Sequence, residues 1–391
     1  MIEKAKGGMA CPMRRVKYIG FYDIKNEVAK KRNAPPAALT KMQYIICAIN
    51  RIGFGVDIIS PTKTESAEAD QGYLLRDGDN TLKLFATCPA KKPLGKIVSF
   101  FQRQIALFFY LLSHLSREDT VIVYHSLFLV PVLTVMKKIK GFRLIVEVEE
   151  IYADVIGKER SINKEQKLFC QADAFIFSTQ LLNERINVSG KPYTVIHGTY
   201  QCEPDLRCSF DDGRIHIVYA GTLDPRKGGL VAAATAEFLD ARYYVHILGF
   251  GSAEDKAALQ KVVDEVSKKS TCSVRFEGLL QGEDYTRFLQ CCQIGLCPQD
   301  PGAAFTATSF PSKILSYMAN GLRVLSIRIP AIEQSAVGEY LYFFNEQTPQ
   351  EIAKAIQKID MSKEYNSRSL INQLADSFMV DMQALLENLE I

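Results

Sequence analysis

The run from Thr306 to Ser326, TATSFPSKILSYMANGLRVLS, sets Ser309, Pro311, Ser312 and Lys313 at the mouth of a short apolar-striped helix that Asn320-Gly321 ends. Ser309 can cap that helix, Pro311 suits its first turn, and Ser312 can add a donor at the positive end of the dipole. Capping leaves Lys313 unexplained, because a cation at a helix N-terminus is unfavourable unless an anion offsets it. These residue types point to phosphate. A second basic pair has the same character. In VYAGTLDPRKGG (218–229) a strand ends at Ala220, Gly221-Thr222 turns the chain, and Arg226 and Lys227 precede a helix that starts near Gly228 or Gly229. Two cations beside free N–H groups are what a diphosphate requires; a loop with solvated basic residues reads the same way. In ILGFGSAED (247–255), Gly249 and Gly251 permit close backbone approach to a ligand, or simply make a turn. Glu254 stands where a GxGxxG fingerprint needs its last glycine, which argues against a dinucleotide site.

Carboxylates and a histidine offer acid–base chemistry. RLIVEVEE (143–150) ends on Glu147, Glu149 and Glu150; the first two share a strand face and Glu150 opens the next loop. Buried carboxylates need partners or a chemical role. Ion pairs with Arg143 or Lys158 would supply the first, a place in a cleft the second. His125, in VIVYHS, closes a strand and reads as a cleft residue or a structural histidine; Asp23 closes the first strand. Lys30, Lys31 and Arg32, in KKRNAPPAALTK (30–41), read as a rim that could meet a lipid-diphosphate acceptor, an anionic membrane surface or water.

Positioning these groups requires strands that end at one edge. Apolar strands at 16–23, 55–61, 120–126, 143–150, 172–179 and 193–199 alternate with helical segments, the first over Ala37–Ile52. That alternation predicts a doubly wound α/β sheet. The polar stretch 200–214 reads as a linker, after which strands recur at 215–220, 243–252, 273–280, 294–300, 323–327 and 340–344. The expected organisation is a disordered lead-in over 1–14, Rossmann-like domains over 15–205 and 206–350, and C-terminal helices over 351–391 that could cross back to the first domain. Ligands of such sheets bind beyond the carboxyl ends of the strands, here in the cleft where the two domains face each other.

The bulk composition agrees. A chain of 391 residues is too long for one ordinary core, and 47% hydrophobic with 23% charged residues is typical of globular domains. A net charge of +3 gives no case for nucleic acid. Ten cysteines without a CxxC pair and five scattered histidines give no zinc pattern and suit a reducing cytoplasm. MIEKAKGGMACPMRR lacks an export signal's apolar core. Leu94–Ser116 is the most apolar segment, interrupted by Gln102, Arg103 and Gln104; it reads as a buried crossover helix, with membrane-surface contact as the alternative.

The ordered set YAGTL…RKG, LGFGS, FEGLL, GLCPQD and SFPSKILSYMANGLRVLS resembles the C-terminal half of family 4 glycosyltransferases of the GT-B fold. The bacterial members that build capsule, O-antigen or exopolysaccharide are most similar. The resemblance is ordered over 215–330 and looser over 16–200. It implies a retaining, metal-independent transfer from a UDP- or GDP-linked sugar to a glycan, lipid-linked and processed at the inner face of a membrane. It implies no cofactor beyond that co-substrate. Arg226 and Lys227 would hold the donor diphosphate; Ser309, Ser312 and Lys313 would touch its phosphates or sugar; Glu149 falls where the family often has a histidine beside the reacting bond. The chain departs from the family in having Gly221-Thr222 for Gly-Arg, and Thr308 and Ser316 for two glutamates. Ser316 could still bond a ribose hydroxyl. A non-catalytic assembly partner and a nucleotide-sugar epimerase of the same fold are the rival readings.

Overall fold

The computed structural model describes residues 13–23, 32–64, 68–89, 92–152, 159–206 and 208–390. Most of the expected lead-in, together with Lys30, Lys31 and Lys158, lies outside the described residues.

The first half runs β1 (Arg15–Ile19), α1 (Pro36–Arg51), β2 (Gly55–Ser60), β3 (Tyr73–Asp77), β4 (Asn80–Leu84), α2 (Pro93–His114), β5 (Thr120–Tyr124), α3 (Val130–Lys140), β6 (Arg143–Val148), α4 (Glu159–Gln171), β7 (Ala174–Phe177), α5 (Gln180–Ile186) and β8 (Tyr193–Val195). Its eight-stranded sheet has the order β3-β4-β2-β1-β5-β6-β7-β8 and is parallel except for β3. The β3–β4 hairpin is an element the sequence reading omitted. Gly78-Asp79 turns it, with Gly78 at φ 55°, and it caps the sheet edge as an antiparallel pair. Unbroken apolar runs in β5 and β6 reflect a sheet covered on both faces. Leu107 and Leu111 of α2, Leu133 and Met136 of α3 and Leu168 of α4 share one buried cluster; α1 packs on the opposite face.

The second half runs β9 (Ile215–Thr222), α6 (Gly229–Ala234), β10 (Tyr243–Phe250), α7 (Ala253–Ser267), β11 (Ser273–Gly278), α8 (Gly282–Gln290), β12 (Ile294–Cys297), α9 (Lys313–Ala319), β13 (Arg323–Ile327), α10 (Pro330–Glu333), β14 (Tyr342–Phe344), α11 (Pro349–Gln357) and α12 (Ser367–Glu390). Its six-stranded parallel sheet has the order β11-β10-β9-β12-β13-β14. Strand order reverses beside β1 in the first sheet and beside β9 in the second, and those switch points open a crevice at the strands' carboxyl ends.

Helix α12 spans the two halves. It packs against α1 and β8 on one side and α9 on the other, and Ser367 Oγ donates to Met318 O at 2.8 Å. Two further bonds tie the halves beside the crevice: Thr179 Oγ1 donates to Thr308 O at 2.7 Å, and the Ala336 N–H donates to His197 Nε2 at 3.2 Å.

One expectation fails at α2. Only Ser99, Arg103, Leu107 and Leu111 are buried; the helix is a crossover but not a buried one. Its outward side is a row of exposed apolar residues.

Candidate functional site

Two lobes, each about 570 Å³, meet in the crevice. The first lies on the second domain, between the ends of β9 and β10, the β12–α9 segment and the Glu149-Glu150 turn. The second lies between α1, the chain after β8 and α9. Ala37, Glu149, Glu150, Phe310, Ser312 and Ser316 line both.

The floor of the first lobe is built by α9. Ile314, Tyr317 and Met318 are fully buried, and the Tyr317 hydroxyl accepts the Ala220 N–H at 2.7 Å, which locks α9 to the end of β9. Gly321, at φ 87°, closes the helix; its N–H bonds Met318 O and the Leu322 N–H bonds Tyr317 O, both at 3.0 Å. The start differs from expectation. The helix begins at Lys313 with Ser312 in the N-cap position and no side-chain cap bond, and Ser309 Oγ is buried without a hydrogen-bond partner among the described residues. The serines are thus not consumed by capping.

Lys313 is the central observation. Its Nζ is buried with no hydrogen-bond partner among the described residues. It sits 3.8 Å from the centroid of the Tyr219 ring, and a Cβ added at Gly221 would lie only 3.0 Å away. Burial pulls its pKa down to about 8, with the Lys227 charge adding to the fall and Cys297 opposing it. An ammonium in that position lacks an anion among the described residues. Lys227, on the same lobe, also has a lowered pKa, chiefly from burial, while Glu150 and Asp224 support its charge.

The neighbouring turn sorts the other predicted residues. Pro225–Lys227 form a single 3₁₀ turn capped by Asp224, and Gly228 follows at φ 83°, where a Cβ would strike Pro298 O at 2.0 Å. Lys227 turns into the lobe. Arg226, assigned to the diphosphate on sequence, turns to the surface, pairs with Asp224 at 2.6 Å and does not line the lobe. Strand β9 continues through Gly221 and Thr222, both of which line the lobe. Gly249 lines it too, but packing already requires a glycine there, since a Cβ would lie 1.8 Å from Gly221 O. Gly251 stays outside, next to the capping box that Ser252 and Asp255 make at the start of α7.

The carboxylates divide. Lys41 pairs with Glu149 and donates to Ile196 O at 2.9 Å, so Glu149 faces both lobes as half of an ion pair. Glu150 has its pKa raised by burial and by Glu149, against Lys227. Glu147 lies inside the sheet with the Tyr18 hydroxyl on its carboxylate; burial raises its pKa to about 8, reinforced by Glu149. The expected partner Arg143 instead donates to Glu118 O at 2.7 Å. His125 is not a cleft residue: its ring packs on Tyr152 and Phe169, its Nε2 is 3.4 Å from Glu165, and burial lowers its pKa to about 4. Strand alternation gives the reason, since its neighbour Tyr124 lines the second lobe.

Residues the sequence reading passed over complete the site. His197 lines the second lobe, donates from Nδ1 to Ser178 O at 2.8 Å and accepts from Ala336, and burial lowers its pKa to about 4. It is neutral and fixed in one tautomer. The Tyr285 hydroxyl lies 3.2 Å from Ser316 Oγ, so one predicted ribose contact already has a partner. Phe250, Leu279 and Leu280 give the first lobe an apolar wall, and Gln299 is buried in it.

Comparison with known structures decides the architecture. The E. coli structure described as trehalose-6-phosphate bound with UDP-2-fluoro glucose matches 96% of this chain and 99% of its own at 11% identity and a TM-score of 0.70. The sucrose-phosphate synthase of Thermosynechococcus elongatus matches 96% and 99% at 14% identity and a TM-score of 0.67. The UDP-forming α,α-trehalose-phosphate synthase of Burkholderia vietnamiensis matches 95% and 99% at 12% identity and a TM-score of 0.65. The chain has the GT-B fold. Residues 214–360, most of the second GT-B domain, match the family described as Glycosyl transferases group 1. No curated protein sequence matches the chain.

Proposed function

We propose that the protein is a glycosyltransferase that moves a sugar from a nucleotide-diphosphate donor, UDP-linked rather than GDP-linked, to a glycan hydroxyl. The observation that carries this reading is the buried Lys313 ammonium, without a hydrogen-bond partner among the described residues, beside Lys227 on the floor of the first lobe. A diphosphate set against Gly221, Ser309 and Ser312 would supply the missing negative charge. The preference for UDP draws on the structural neighbours, one described with UDP-2-fluoro glucose and one as UDP-forming.

In the proposed reaction the bond from the anomeric carbon to the diphosphate oxygen breaks, one to the acceptor oxygen forms with retained configuration, and the acceptor hydroxyl's proton passes to the departing diphosphate. Lys227 and Lys313 stabilise the charge that grows on the departing diphosphate, so no metal is needed for that task. Glu149 and Glu150, shared by both lobes, face the place where donor sugar and acceptor meet. Lys41 holds the Glu149 side chain in place through their ion pair.

The second lobe bears on the acceptor. Among its described lining residues Lys41 is the one lysine or arginine, and Glu149, Glu150 and Glu203 stand against it. His197 is neutral. Such a lobe repels a sugar phosphate and suits an uncharged glycan terminus. We take that terminus to belong to a growing, lipid-linked surface glycan, made by an enzyme of family-4 type bound peripherally to a membrane. The test is nucleotide release from a panel of UDP- and GDP-sugars, with and without glycan acceptors. Acceptor-dependent UDP release with a new glycoside supports the proposal. A changed sugar without acceptor would identify an epimerase, and no turnover of any bound donor would identify an assembly partner.

A further inference from the structure

The solvent face of α2 is the largest feature the cleft does not explain. Leu94, Ile97, Phe101, Ile105 and Phe109 recur at helical spacing along one side, with Leu94 73%, Phe101 59% and Phe109 62% exposed. At about 1.5 Å per residue the stripe is some 22 Å long. The buried side is held independently: Arg103 Nη1 donates to Pro61 O at 2.9 Å, and Gln104 Nε2 donates to Phe128 O at 2.5 Å. The stripe is therefore surplus to folding. Helix α3 packs beside α2 and exposes Val135 and Ile139. The charge pattern is one-sided. Neither Pro93–His114 nor Val130–Lys140 contains an aspartate or glutamate, whereas Lys92, Lys96 and Lys138 are exposed on or next to these helices.

We propose that this α2–α3 face docks on an anionic lipid surface. An apolar stripe flanked by lysines and free of acids matches an interface in which acyl chains lie beneath negative headgroups. A second copy of the same face would bring lysines opposite lysines with no acid to offset them. No described helix is long and apolar enough to cross a membrane, so the contact is interfacial. Helix α2 follows β4, which runs parallel to β2, so Leu94 and Ile97 lie towards the carboxyl ends of the strands, where the crevice opens. The docked face would hold that crevice near the lipid. The inference does not depend on the donor chemistry.

The test is sedimentation of the full chain with phosphatidylcholine vesicles, with and without phosphatidylglycerol. The protein should follow the phosphatidylglycerol vesicles and largely ignore neutral ones. Phe101→Glu with Ile105→Glu should cut that binding at least about tenfold, and Lys96→Glu with Lys138→Glu should cut it about fivefold per lysine, salt having the same effect. Nucleotide binding should be unchanged in both variants, which separates this test from that of the donor site and confirms folding. The proposal is overturned if the wild type ignores both vesicles, if the variants bind as well as it does, or if light scattering shows a dimer that the Phe101→Glu, Ile105→Glu variant splits while vesicles are ignored.

Discussion

Two polar clusters in the second domain are built to opposite plans. From the amino end of β9 across the middle of β10 to β11, Asp212, His216, His246 and Glu277 form an unbroken chain: Asp212 to His216 Nε2 at 2.9 Å, His216 Nδ1 to His246 Nε2 at 2.8 Å, and His246 Nδ1 to Glu277 at 2.8 Å. Phe210 stacks on His216 at 4.1 Å, and Arg214 and Arg275 pair with the end carboxylates. At the carboxyl ends of β9 and β10, Lys313 Nζ and Ser309 Oγ are buried with no hydrogen-bond partner among the described residues. Each cluster has a buried centre, the His216–His246 pair in one and Lys313 Nζ in the other; completeness separates them. The chain closes on itself and anchors the linker that carries Phe210 and Asp212, whereas the cleft leaves its polar groups for something else to satisfy.

The closed cluster should respond to mutation as structure. Its three bonds need three protons, one more than two neutral imidazoles carry. Burial opposes the extra proton at His216 and Asp212 favours it. His216→Ala strands the His246 ring and removes a stacked aromatic, so it should destabilise the protein by about 3 kcal/mol in urea unfolding with no change in UDP affinity. Lost UDP binding in folded His216→Ala protein would erase the distinction between the clusters.

The open cluster should respond in the opposite sense. Lys313 has a folded pKa of about 8 against an ordinary 10.5. Between those values the unfolded chain keeps a proton the folded chain has released, so stability rises with pH across that window, and the full penalty is present below about pH 8. Lys313→Met should therefore be more stable than wild type by about 2 kcal/mol at neutral pH, and the advantage should shrink towards pH 10. Thermal melts across that range check it; a destabilised variant at neutral pH would mean that the ammonium is already satisfied.

Glu147 sharpens the contrast by a smaller amount. With its pKa raised to about 8, the folded chain holds a proton that the unfolded chain has lost from its ordinary 4.5 upward. Stability falls with rising pH over that interval and levels off beyond it. Glu147→Gln removes the fall, so it should gain about 1 kcal/mol at pH 6 relative to pH 5 in paired unfolding curves. Equal effects at both pH values would place the Glu147 charge elsewhere in the network.

The sequence carried the architecture where periodicity is strong. The parallel strands and the linker follow from apolar runs and polar breaks, while the β3–β4 hairpin lies within a polar stretch at a sheet edge and was lost. Within the site, Lys313 was legible because its charge conflicts with its place on a helix, a local fact. Arg226 was misread because adjacency hides direction: in a 3₁₀ turn successive side chains diverge by about 120°, so Lys227 enters the lobe and Arg226 leaves it. His125 fell to strand parity for the same reason. Lys41 and His197 gave no local signal at all. Their partners Glu149, Ile196 O and the Ala336 N–H lie more than one hundred residues away; the first two meet Lys41 only when the first domain folds, and Ala336 meets His197 only across the two halves.

The most direct measurement is calorimetric titration of UDP and GDP into wild type, Lys313→Met, Lys227→Ala and Arg226→Ala. Wild type should bind UDP in preference to GDP. Lys313→Met should lose about a hundredfold in affinity, Lys227→Ala about tenfold, and Arg226→Ala less than about threefold. A folded wild type that binds neither nucleotide, or a Lys313→Met variant that binds UDP as well as wild type does, would contradict the claim that this buried ammonium awaits a diphosphate.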